Sequence, residues 1–79
     1  MNDKERVETI LEGIKRKMQQ CTTAIQRVDE ELDWLQQVQV NDTVLDSIRE
    51  TEYKLQAIHA DRNALWVKYR NLSRKLENL

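Results

Sequence analysis

Apolar residues recur along this chain at alternating intervals of four and three, and few folds tolerate that rhythm. In the first half they are Val7, Leu11, Ile14, Met18, Cys21, Ile25, Val28, Leu32 and Leu35. This is a heptad seam, with Leu11, Met18, Ile25 and Leu32 at a and the other five at d. A half-buried strand would place an apolar residue at every second position instead. The second half repeats the rhythm. Ile48, Leu55, Tyr69 and Leu76 hold a; Val44, Ile58, Leu65, Leu72 and Leu79 hold d. Two seam positions there are polar, Thr51 at d and Arg62 at a.

Composition supports helices. There is no proline, Gly13 is the only glycine, and 34% of the residues are charged. Compact folds rich in strands recruit glycine and proline for their turns, whereas this mixture suits long helices. At 79 residues the chain is short. Below roughly 80 residues one core supplies only a few kcal/mol, so small folds often need a staple or an oligomer. Cys21 is the only cysteine, which rules out an intramolecular disulfide.

Asn2 with Glu5 three residues later forms a capping box, and the spacing predicts helix 1 over about 3–38. Between Leu35 and Val44 the four-three spacing breaks. Asn41, Asp42 and Thr43 are good N-cap residues, and Thr43 with Asp46 resembles a weak capping box. A turn at about 39–43 and helix 2 over about 43–78 follow. One continuous helix with a stutter is the competing reading, since no Gly or Pro enforces the break. The expected fold is all-α: residues 1–79 form a single antiparallel, coiled-coil-like helical hairpin that dimerises into a four-helix bundle. A turn near Asn41 sets helix 1 residue i against helix 2 near 83 − i. Leu11 then meets Leu72, Met18 meets Leu65, Ile25 meets Ile58, and Cys21 meets Arg62.

A two-stranded seam uses only a and d, yet apolar residues fall outside it. Ile10, Gly13, Ala24, Trp34 and Val38 occupy g and c of helix 1; Leu45 and Trp66 occupy e of helix 2. Scattered surface apolar residues are ordinary, but two tryptophans are large groups to leave wet. Ile10, Ala24, Trp34, Val38, Leu45 and Trp66 are therefore the candidate protein interface. Charge is segregated as well. Residues 21–61, the turn end, carry three bases against nine acids, a net −6. The remaining residues, at the open end, carry ten bases against five acids, a net +5. Two copies lying in opposite directions match acidic turn to basic tips, which guides orientation more than affinity. A homodimer is the expected assembly. The flanks agree, because hairpin register sets Lys17 beside Lys68 and Asp29 beside Glu52, like-charge neighbours that a lone hairpin does not need.

Catalytic chemistry finds no foothold. His59 is the only histidine, Gln56 stands where a di-iron Glu-x-x-His motif needs its glutamate, and no HExxH or Cys/His zinc spacing occurs. The run Asp29, Glu30, Glu31 and Asp33 points in different directions around a helix and lacks EF-hand spacing. Cys21 reads as a small seam residue, with reactivity only if Arg62 lies beside it. A non-enzymatic protein without metal or cofactor is expected. No apolar run reaches membrane-span or signal-peptide length, which makes a cytoplasmic protein the expectation.

Two alternatives stand beside a protein-interaction module. Arg16, Lys17, Lys68, Arg70, Arg74 and Lys75 gather at the open end near Trp66 and Tyr69, and bases beside aromatics can hold nucleic acid. A dimeric helical hairpin of this kind is similar in architecture to plasmid copy-number regulators of the Rop type, with no sequence motif shared. Small helical chains also serve as adaptors, chaperones or mobile-element inhibitors of a host protein.

Overall fold

Both helices begin on asparagine. The computed structural model describes residues 2–79; Met1, the first residue of the expected domain, lies outside the described residues. Helix α1 spans Asp3–Gln37 and helix α2 spans Asp42–Glu77. Ahead of α1, the Asn2 side-chain oxygen accepts the Glu5 N–H at 2.8 Å. Ahead of α2, Asn41 Oδ1 accepts the Val44 N–H at 2.9 Å, and the Asn41 carbonyl accepts the Leu45 N–H at 3.0 Å. Each cap thus satisfies donors that a helix start leaves orphaned.

The turn is where the sequence reading needs correcting. Thr43 does not cap α2; it lies inside the helix, and Asn41 takes the role two residues earlier. The connection is residues 38–41, with extended backbone at both edges: ψ is 162° at Val38 and 175° at Asn41. No residue among those described needs a positive φ. Extended residues followed by an asparagine cap therefore reverse the chain without glycine or proline, and the continuous-helix alternative is excluded.

The two helices pack against each other as an antiparallel hairpin measuring 58 × 14 × 14 Å. The heptad seam lines the contact. Every seam residue of α1 is at least half-buried, and Leu11, Ile14 and Leu35 retain only 8% exposure each. Along α2 the seam is covered except at Arg62 and the terminal Leu79. Thr51 is the best-buried residue of all, at 4%, because its hydroxyl turns back to donate to the Ser47 carbonyl at 2.7 Å. That local bond lets a polar group enter the seam without an unpaired donor.

Of the described residues only Leu11, Ile14, Leu35 and Thr51 are buried; Met18, Cys21, Ile25 and Leu55, like most of the seam, are half-buried. Among the described residues no large side chain is fully enclosed. The rod exposes 6435 Å², whereas a compact monomer of its 9.5 kDa mass exposes about 5,000 Å². The chain thus has much surface and little interior.

Candidate protein-interaction surface

Geometry sorts the off-seam residues onto two flanks. In an antiparallel pair the g positions of both helices share one flank and the e positions share the other. On the g flank a trough runs along the seam. Its lower part, about 350 Å³, is lined by Ile10, Ile14, Lys17, Leu65, Leu72 and Lys75, among others. Its upper part, about 580 Å³, is lined by Cys21, Ala24, Ile58, Ala64, Leu65 and Lys68, among others. Another depression on the outside of α1 also opens at Gln20 and Ala24. Gln20 and Ala24 thus line both depressions. Gly13 lies beside the trough, and a Cβ added there would meet open space.

The e flank carries different chemistry. Trp66 lies beside Met18, Arg62 and Asn63 and stacks on Tyr69 one turn further on, ring centroids 5.9 Å apart and planes within 11°. Beside it Arg62 Nε donates to Thr22 Oγ1 at 3.1 Å, and that hydroxyl donates in turn to the Met18 carbonyl at 3.1 Å. Committing its proton to the helix leaves the Thr22 oxygen free to accept from Arg62. The bond joins the helices across the seam, 40 residues apart in sequence. It falls one residue from the expected Cys21–Arg62 meeting. Cys21 lines the g-flank trough, and the hydrogen bond of the Arg62 guanidinium goes to Thr22.

The six candidate interface residues therefore do not share one surface. Ile10, Ala24, Trp34 and Val38 belong to the g/c side of α1, while Leu45 and Trp66 belong to the e flank. Ile10, Trp34, Leu45 and Trp66 are exposed, Trp34 at 63% and Trp66 at 52%; Ala24 and Val38 are half-buried. Val40, Tyr53, Val67 and Leu79 are exposed as well. Val67 and Tyr53 sit at the outermost heptad position, facing away from the partner helix. Of the six candidate nucleic-acid residues, Lys17, Lys68 and Lys75 line one trough. Arg16 opens onto the outside of α1, and Arg70 and Arg74 occupy outer positions of α2. Sequence reasoning alone misses Thr22, and its e position next to the seam is the available signal.

Comparison with known proteins finds no matching family model, no similar curated protein and no similar solved structure. The geometry stands alone. Among the described residues no group of His, Cys, Asp or Glu side chains is placed to hold a metal ion, and no helix is long and apolar enough to cross a membrane.

Proposed function

We propose that this hairpin is a non-enzymatic interaction module that packs its outer helix faces against another protein chain. The observation that supports this is the mismatch between a core with no fully enclosed side chain and eight large apolar residues left exposed. Scattered exposed apolar residues are ordinary, but two tryptophan rings in so short a chain are large apolar groups to leave in water. Covering the Trp34 ring, now 63% exposed, is worth on the order of 3 kcal/mol at ~25 cal/mol/Å². Affinity capture with the chain as bait tests the reading. Trp34→Ala together with Trp66→Ala should abolish capture while circular dichroism stays helical. Capture indifferent to the two changes, or no capture at all, overturns it.

A second reading, nucleic-acid binding, has one observation in its favour: Lys17, Lys68 and Lys75 converge on one trough at the basic end. Asp61 on the same flank and the acidic turn end weigh against it. Retention on RNA or DNA that falls steeply with salt would favour this reading; no binding at low salt removes it.

A further inference from the structure

The g/c face of α1 has a hollow at one end and a projection at the other. From Ile10 to Ala24 it is a trough flanked by Gly13 and edged by Lys17, Lys68 and Lys75. Further along, towards the turn, Trp34 stands out at 63% exposure with Val38 behind it and Glu31 alongside. Hollow and basic at one end, ridged and acidic at the other, such a surface fits an inverted copy of itself. We propose that the partner of this face is a second copy of the chain, lying antiparallel with its turn over the open end of the first. The proposal rests on the interaction-module reading and names its partner.

The symmetry makes the register explicit. A two-fold axis in the plane of the interface and across the rod lays α1 on α1 with its direction reversed. Placed at Ala24, where the small side chain lets two α1 helices approach, it maps heptad onto heptad. Ile10 then faces Val38 of the second copy, and Lys17 faces Glu31. Trp34 comes down at the level of Ile14 and over neighbouring Gly13, where the missing side chain leaves room. A glycine inside a helix destabilises it relative to alanine, and nothing within the lone hairpin requires one here. Helix α2 offers no equivalent match, since Lys68 falls nearest Lys54 at that level. Orientation therefore comes from α1 and from the segregated charge of the whole rod, −6 against +5. With the axis at Ala24, residues 11–37 of α1 overlap their counterparts over about 40 Å at ~1.5 Å per residue, which across the 14 Å width of the rod is about 550 Å² per copy, at the small end for a specific pair.

The test exploits the symmetry. Lys17→Glu sets a carboxylate against Glu31 of the other copy, and Glu31→Lys sets two lysines against each other. Each variant should self-associate on the order of tenfold more weakly than the parent by sedimentation equilibrium, because like charges now meet. Mixed in equal amounts, the two variants should form a heterodimer with near-parental affinity, since the like-charge meetings at both symmetry-related positions are relieved. Gly13→Leu should keep the hairpin folded, because its side chain meets open space, and still weaken the dimer at least as much. A parent that stays monomeric at about 100 µM, where a micromolar pair is fully formed, overturns the second copy as partner and leaves the interaction reading to its own capture experiment. A parent that dimerises while the variants and their mixture match it overturns the face and register but keeps self-association. Parent retention on RNA without dimer formation assigns the lysines to nucleic acid instead.

Discussion

At Thr51 the seam tolerates a hydroxyl because the side chain bonds its own helix. The Ser47 carbonyl that receives it, at 2.7 Å, already accepts the Thr51 backbone N–H in the helical ladder. The hydroxyl is therefore a supplementary donor to a satisfied acceptor, held at 4% exposure. Thr51→Val keeps the shape, removes a buried polar atom and strands no partner. Urea unfolding should show a small gain, at most about 0.8 kcal/mol, as a buried methyl replaces a back-bonding hydroxyl. In a thermal melt the midpoint should rise correspondingly, by roughly 4–8 °C per kcal/mol for a chain this small. A loss of stability would mean that the hydroxyl fixes register in a way its one local bond does not reveal. Arg62 solves the same problem differently. Its long side chain leaves the seam, stays exposed and ends on Thr22. That bond ties one level of α2 to one level of α1, consistent with the use of polar seam residues to set register at some expense of stability.

Each helix is held at its start by one asparagine, and the caps explain what the sequence made legible. The four-three spacing of apolar residues identified both helices and nearly their whole seam, because burial follows the same periodicity that fixes side-chain direction. The N-terminal cap was legible because Asn2 precedes Glu5 at capping distance. The turn was less so. Asn41, Asp42 and Thr43 are all competent caps, and the choice of Asn41 depends on extended backbone from Val38 onward, which no residue in that stretch announces. The interface candidates were legible as off-seam residues but not as a surface. Flank membership follows from how the helices pair, and Trp66 finds a companion in Tyr69 that heptad labels alone do not weigh. Asn41→Ala removes the acceptor for the Val44 N–H and should lower stability by about 1 kcal/mol. Hydrogen exchange should then show faster exchange at Val44 and Leu45 than in the parent, with the middle of α2 unaffected. Unchanged protection at Val44 would mean that backbone geometry, not the asparagine side chain, holds the turn.

The rod as a whole is an electric dipole 58 Å long, and for the dimer proposed above this bears on how fast copies find each other more than on how tightly they hold. Charges near the two ends are exposed, so their fields reach into solvent and are screened over about 8 Å at physiological ionic strength, against about 30 Å at 0.01 M. At low salt an approaching copy is turned into the antiparallel orientation before contact. At high salt it arrives at random, and only a fraction of encounters are productive. The apolar contacts made afterwards, Ile10 on Val38 and Trp34 over Gly13, feel little of that screening. Stopped-flow measurement of tryptophan emission on mixing should thus show the association rate falling several-fold between about 0.01 and 0.15 M salt. The dissociation rate should change far less, since it reflects loss of packed apolar surface. Trp34→Ala, followed through a fluorescent label on the chain rather than by tryptophan emission, should raise dissociation strongly while keeping the salt dependence of association. If salt accelerates dissociation and leaves association untouched, ion pairs rather than buried rings hold the copies together, and the charge segregated along this hairpin acts after contact instead of before it.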